Sequence, residues 1–369
     1  MKTAAIILPT YNEAKNITPL IEKIFFINEQ LKNWNLSVLV VDSSSPDQTA
    51  KKVQALQRRH SALHLLITKK EGLGKAYLKG FMYALKQLHA DVVFEMDADL
   101  SHNPECIPQF LHKIEEGADF VIGSRYIQGG SIPRDWGVHR KLFSVLGNLI
   151  IRFGFMKLRI TDWTSGYRGI RSWVVEKSLT QIERYSGYVF QVALLDEALK
   201  KGAKVLEEPI NFVDREYGES KINAGQFIIQ TLLYVFLHSS FIRYAIVGVT
   251  GSVIDFGLSY IFIEKIKLQI WLSTLMSTES AIISNFTLNN FWSFSHKRIQ
   301  GRKRTYLSKF LHFNLISSGA IIIQTVGIHT FAVLFGPRLW FVYKFFILAF
   351  IIIPYSYILY NRVVWKEEK

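Results

Sequence analysis

The sequence predicts an α/β domain with a mostly parallel sheet, followed by an all-α domain of four membrane-spanning helices. Three observations carry this. Up to about residue 220, short apolar runs rich in β-branched residues alternate with segments of helical period. Carboxylates or turn residues sit where several of those runs end, as at Asp42 and Asp97. Beyond about residue 240 the apolar runs lengthen to roughly 20 residues or more, enough to cross a ~30 Å hydrocarbon core. The expected domains are residues 1–221, an interfacial amphipathic helix at 222–240, and a four-span domain at 241–369.

Residues 4–8 read as the first strand, and Pro9-Thr10-Tyr11-Asn12-Glu13 as the turn leaving it. Asn12 or Asn16 can cap a helix whose apolar positions Ile17, Leu20, Ile21, Ile24 and Phe25 recur at helical spacing. A second buried strand, 36–41, ends at Asp42, and the loop from Ser43 to Asp47 leads into a helix at 49–59. A strand at 63–67 follows, then a helix opened by Gly72-Leu73-Gly74-Lys75, then a strand ending at Asp97, and a fifth strand at 120–122. Strands alternating with helices imply crossovers and a parallel sheet, whose ligands bind beyond the carboxyl ends of the strands. Tyr11, Glu13, Asp42, Lys75, Asp97 and Asp99 all fall at or near those ends. No G-x-G-x-x-G follows the first strand and no Walker lysine is present, which argues against a dinucleotide enzyme or an ATPase.

Strand alternation puts Asp97 and Asp99 on one side, where the strand gives way to loop. Two acids that close repel unless a cation lies between them, and hard divalent ions such as Mg²⁺ or Mn²⁺ commonly join carboxylates to nucleotide phosphates. The same residues also suit a helix N-terminus, with Asp99 or Ser101 as cap ahead of Pro104 and Glu105. Both readings stand on residue type alone. The formal charge of +14 suits anionic partners: phospholipid, phosphorylated substrate or nucleic acid. The one cysteine, Cys106, excludes an internal disulfide and a thiolate metal cluster. The apolar stretch near the N-terminus is too short for a signal peptide, so the first domain is expected on the cytoplasmic side.

Several motifs occur in order: P-T-Y-N-E, V-V-D-x-x-S-P-D-x-T, G-L-G-x-A, M-D-A-D-L-S-H-x-P-E, G-S-R-Y-I-x-G-G, D-x-T-S-G-Y-R-G and F-x-D-R-x-x-G-x-S-K. Over residues 4–222 the chain thus resembles the polyprenol-phosphate (dolichol-phosphate) mannose synthases, family 2 inverting glycosyltransferases of GT-A fold. The resemblance implies a divalent ion held against the diphosphate of GDP-mannose by Asp97 and Asp99, with Ser101 at a third position often glutamine in relatives. It implies a base and ribose pocket at Pro9, Tyr11, Glu13 and Asp42; relatives usually carry a second acid where this chain has Ser43. It implies Arg125, Arg140 and Ser144 at the phosphate of the lipid acceptor, and Arg215 and Lys221 closing over the donor diphosphate. Guanidinium groups grip phosphate oxygens in a forked, charge-assisted way, although Arg140, Lys141 and Arg152 also fit a plain solvated face. The loop Asp162–Gly169 is expected to help shape the sugar and acceptor site; relatives usually carry an acid where this chain has Ala193.

The spans are expected at 241–263, 268–294, 310–335 and 339–360. Lys297, Arg298, Arg302, Lys303, Arg304 and Lys309 lie between the second and third, which predicts that this loop, the catalytic domain and the C-terminus are cytoplasmic. Anionic lipid is the expected partner of that loop rather than nucleic acid. Asp255 and Glu279 fall near mid-depth, where an acid is costly and ordinarily faces the bundle interior; a structural hydrogen bond or a part in moving lipid both fit. N-F-x-x-N-x-x-W-x-F at 285–294 resembles GtrA-like membrane domains. The expected activity is transfer of mannose from GDP-mannose to dolichyl or polyprenyl phosphate. Glucose from UDP-glucose is the nearest rival, and a lipid transporter regulated by nucleotide sugar is the alternative of another class.

Overall fold

A computed structural model describes residues 1–185, 187, 189–215, 224–301 and 303–366. The chain divides into two compact units, Met1–Leu237 and His238–Lys369.

The first unit is built on a seven-stranded sheet. Strands β1 (Lys2–Thr10), β2 (Trp34–Asp42), β3 (Leu63–Ile67) and β4 (Val92–Glu95) pair in parallel, with β1 between β2 and β4. Their side chains are buried at nearly every position of β1, β2 and β4, because helices cover both faces and the strands need no polar side. Crossovers run through α1 (Ile17–Asn28), α2 (Thr49–Gln57) and α3 (Leu73–Lys86). The predicted apolar stripe of α1 is buried throughout. Asn16 holds the cap position but makes no capping bond; its amide donates instead to Glu13.

Beyond β4 come α4 (Ile107–Glu115), β5 (Phe120–Ser124), α5 (Val138–Phe155), β6 (Arg168–Arg171), α6 (Ser172–Ile182), α7 (Val189–Lys200) and β7 (Val205–Pro209). The sheet order is β3-β2-β1-β4-β6-β5-β7. β6 runs antiparallel between β4 and β5, so part of the stretch read from sequence as a polar loop is a central strand. Its Arg168 is fully buried and faces Glu95 of β4 at 3.5 Å. The order reverses on either side of β1, which places a binding crevice beyond the carboxyl ends of β1 and β4. α8 (Ala224–His238) packs on this unit through Tyr234, whose hydroxyl donates to Asp196 at 2.8 Å, and leaves Ile229, Leu232, Leu233 and Phe236 exposed.

The second unit is helical: α9 (Ser240–Tyr260), α10 (Ile270–Leu288), α11 (Lys303–Phe335), α12 (Trp340–Ile347) and α13 (Ile353–Leu359). A π-helical turn, Leu348–Ile352, joins α12 to α13 just before Pro354, which lacks the N–H an unbroken helix would use. Ser240–Lys265, Lys303–Phe335 and Val342–Val364 are long and apolar enough to cross a membrane. Asp255 accepts hydrogen bonds from Ser277 (2.7 Å) and Thr278 (3.1 Å), tying α9 to α10, while Glu279 is exposed.

Candidate active site

β4 ends at Glu95, and the chain turns immediately. Leu100 has φ +66°, a left-handed conformation uncommon for a leucine. The turn folds Ser101 back on Asp99, whose Oδ1 accepts from the Ser101 N–H (3.1 Å) and Oγ (2.6 Å). The other oxygen of Asp99 faces Arg215 at 3.4 Å. Burial, and then the Asp99 carboxylate, push Asp97 up to about 8 against the pull of Arg215, although 36% of its side chain reaches the surface. Beneath them Glu95 is pushed to about 7 by burial, only partly offset by Arg168. The Asp97 N–H donates to His102 Nδ1 at 3.0 Å, which leaves the imidazole proton on Nε2. Burial lowers His102 to about 4, so it is neutral and brings no positive charge.

Three acids therefore crowd a corner supplied with two guanidinium groups. Among the described residues no three His, Cys, Asp or Glu side chains gather to hold a metal by themselves. Two carboxylates that share one guanidinium do fit a hard divalent ion that would complete its shell with water and diphosphate oxygens. Ser101 reaches that corner with its hydroxyl spent on Asp99.

The residues predicted to line the base and ribose pocket gather at the ends of β1 and β2 and on the loops after them. Pro9 is the penultimate residue of β1, opposite Val41. Lys70 lies 3.6 Å above the Tyr11 ring. Asn12 and Ser44 have φ of +61° and +56°, so, with Leu100, left-handed non-glycine residues mark three of the loops around the crevice. Glu13 is buried and accepts from Asn16 (2.8 Å). Asp42 is 1% exposed and accepts from Thr10 Oγ1 and from the N–H and Oγ of Ser45. Its carboxylate ties the end of β1 to the loop after β2.

The sequence-predicted phosphate groups lie at the start of α5 and the end of β5. Arg125, 9% exposed, forks onto fully buried Asp162 through Nε (2.7 Å) and Nη2 (2.8 Å), and Nη2 also reaches Thr164. Burial alone would raise the Asp162 carboxyl, but the guanidinium and its hydrogen bonds prevail and hold it below the usual range. Ser144 shares a 2.6 Å hydrogen bond with the Tyr126 hydroxyl. Arg140 stacks 3.8 Å over Trp136 and pairs with Asp214 at 3.2 Å. Phe212 connects the groups: its ring meets His102 edge-on (5.7 Å) and Trp136 (5.9 Å), and the Arg125 guanidinium lies 5.6 Å from it. Arg215, three residues on, brings the same segment to Asp99. Lys221 lies outside the described residues.

Sequence reasoning placed Asp162 only in a loop shaping the sugar and acceptor site and assigned no role to His102, Phe212, Trp136 or Asp214; all five bind predicted site residues together. All but Trp136 stand inside the quoted motifs, which was the available signal. Gly166 has a steric reason: a Cβ there would come within 2.8 Å of Gln191 and 3.7 Å of Asp97.

Residues 5–179 match Glycosyl transferase family 2, and residues 243–365 match the GtrA/DPMS transmembrane domain. The dolichol-phosphate mannosyltransferase of Pyrococcus furiosus is 33% identical over 330 residues, covering 86% of this chain and 88% of that protein. The polyprenol monophosphomannose synthase of Mycolicibacterium smegmatis is 38% identical over 222 residues, covering 60% of this chain and 81% of the relative. More distantly, a crystal structure of glucosyl-3-phosphoglycerate synthase from Mycobacterium tuberculosis with Mn²⁺ and UDP-glucose aligns with a TM-score of 0.46 at 18% identity, covering 63% of this chain and 79% of that one. The transmembrane match and the three long apolar helices make this a membrane protein. With both halves matched and a relative aligned over most of its length, the chain belongs to the polyprenol-phosphate (dolichol-phosphate) mannose synthases, family 2 glycosyl transferases that carry a GtrA/DPMS-type transmembrane domain.

Proposed function

We propose that the protein transfers mannose from GDP-mannose to dolichyl or polyprenyl phosphate, with inversion, giving polyprenyl phosphate β-mannose and GDP. The observation that carries this is the corner where Asp97 and Asp99 share one guanidinium, joined through Phe212 to Arg125 just after β5 and, by way of Trp136, to Arg140 of α5. In this reading Asp97 and Asp99, with Ser101 at the third position, would hold Mg²⁺ or Mn²⁺, which would supply positive charge to offset that on the departing diphosphate. Arg215 and Lys221 add positive charge on the same leaving group. Pro9, Tyr11 and Glu13 line the nucleoside pocket, with Asp42 bracing its loop.

The acceptor phosphate is anionic at neutral pH, with a second ionisation near ~6, so it needs no strong general base. Arg125, Arg140 and Ser144 orient it, and one of its oxygens attacks the anomeric carbon as the bond to the diphosphate breaks on the opposite face. Arg125 suits this task because Asp162 takes the Nε–Nη2 edge of its guanidinium, while Nη1 has no partner among the described residues. The four-span topology, with the catalytic domain and C-terminus cytoplasmic, and the interfacial helix at 222–240 belong to the same proposal; the exposed apolar side of α8 supports the latter.

The test is transfer in detergent with polyprenyl phosphate, Mg²⁺ or Mn²⁺ and a panel of labelled nucleotide sugars. GDP-mannose is expected to give lipid-linked sugar. UDP-glucose alone giving product would reassign the donor, and no product from any donor would refute transfer to lipid phosphate.

A further inference from the structure

We infer that Glu207 is a positioning residue for the acceptor phosphate, acting on Arg125 through Asp162. This rests on the reading of Arg125 as a phosphate ligand. Asp162 lies in the irregular segment between α5 and β6, where no strand ladder fixes its backbone. What holds it is Glu207. The Glu207 carboxylate accepts the Thr161 N–H on both oxygens (3.0 Å each), the Thr161 hydroxyl at 2.7 Å and the Asp162 N–H at 3.0 Å. One charged group thus satisfies both backbone donors leading into the loop, and such charge-assisted bonds are stronger than neutral ones.

Glu207 stands on β7 opposite Ile122 of β5, three residues before Arg125. Thr161 also shares a 2.8 Å hydrogen bond with Ser124, the last residue of β5. Arg125 and its anionic partner are therefore both hung from the same pair of strands. The circuit closes from Arg125 to Asp162, on to Glu207, across the β7–β5 ladder and back. Within it the guanidinium cannot swing without breaking several short bonds, so Nη1 keeps one direction. Arginine binds phosphate well when its fork is held in place beforehand, and a small misplacement of a binding group is costly.

The experiment uses the full chain in detergent, with farnesyl phosphate as the acceptor probe and GDP with Mn²⁺ as the donor-side probe. Dissociation constants for both are measured by calorimetry for wild type, Glu207→Ala, Glu207→Gln and Arg125→Ala. Glu207→Ala should weaken farnesyl phosphate binding by on the order of tenfold and leave GDP binding within about twofold. Glu207→Gln keeps one oxygen but turns an amide N–H₂ toward backbone donors, and should fall between wild type and Glu207→Ala. If Glu207→Ala does not fold, the glutamine variant decides alone by the same split. Acceptor binding unchanged in both Glu207 variants but weakened in Arg125→Ala would overturn the role of Glu207 and spare that of Arg125. Acceptor binding unchanged in Arg125→Ala as well would overturn both. Equal weakening of both probes in the Glu207 variants would mean general damage to the unit, and would also overturn the inference.

Discussion

Two charged corners of the first unit are built on opposite principles. At the end of β5, Arg125 and Asp162 are both nearly sealed from solvent, and each answers the other with a forked pair. Thr164 accepts from the same guanidinium and Glu207 from the Asp162 N–H, so the buried pair is tied in on both sides by hydrogen bonds. At the end of β4, Asp97 and Asp99 are packed together and share Arg215, 3.4 Å from Asp99; burial first, and the Asp99 carboxylate second, push the Asp97 carboxyl up to about 8 against the pull of that one guanidinium. The lesson is that burial of charge does not by itself mark a binding site. In the proposed reading, the corner whose buried pair is mutually satisfied is scaffold for a guanidinium nitrogen without a partner among the described residues, and the corner where two acids share one guanidinium is the one assigned the cation.

That contrast is broken most sharply by Asp99→Ala. Removing the carboxylate should abolish sugar transfer, a loss of at least about 10²–10³-fold, the scale associated with one preorganised electrostatic group at a reacting centre. Chelation of divalent ions should have the same effect on wild type, with recovery on adding Mg²⁺ or Mn²⁺. Thermal stability should hardly fall, since one of two mutually repelling acids is gone. Wild-type turnover in the variant would contradict the assignment of the cation to this corner.

Asp162→Ala should do the reverse. It strands a buried guanidinium, and breaking such a pair typically costs about 3–5 kcal/mol, so the melting temperature should drop steeply. The sign with pH follows from the depressed carboxyl of Asp162. Its contribution is present above the unfolded pKa of about 3.9 and is lost as pH falls through the lower folded value. Below that value wild type and variant should converge in stability, and equal stability at neutral pH would mean that the pair is not structural.

These two corners also differ in how far the sequence exposes them. Asp97 and Asp99 stand one residue apart at the end of an apolar run, and local periodicity alone puts them at a strand end. β1, β2 and β4 are readable for the same reason: buried at most positions, they carry near-continuous apolar runs. β6 hid because Arg168 and Arg171 flank only two residues of its core, and Arg168 is buried there only by its pairing with Glu95, 73 positions earlier in the chain. Arg125 and Asp162 are 37 positions apart and each looks like an ordinary loop residue. Their pairing depends on β7 lying beside β5, which no local pattern encodes. Asp42 is the opposite case: an acid at a strand end is easy to find in the sequence, but its bonds to Thr10 and Ser45 are not legible there.

A milder test concerns Arg140, which lies on the surface side of the acceptor groups. Its side chain is 49% exposed, and a pair so placed with Asp214 adds little stability. Arg140→Ala should therefore leave the melting temperature unchanged while raising the KM for polyprenyl phosphate by about tenfold, with the KM for the donor nearly constant. A change in donor KM alone would move Arg140 to the other substrate.

The smallest effect is expected from the second unit, and its smallness is the point. Asp255 has two hydroxyl donors, Ser277 and Thr278, and so belongs with Asp162 among acids that hold elements together. Glu279 is exposed on α10, with nothing among the described residues to set it apart as chemistry. Converting both to their amides, Asp255→Asn with Glu279→Gln, preserves shape and most hydrogen-bonding capacity. Transfer in detergent should stay within about twofold of wild type, because no step of the proposed reaction uses either group. A tenfold loss in detergent, with the protein still folded by circular dichroism, would tie the bundle to the chemistry. It would also place an under-neutralised acid where the comparison allows only a satisfied one.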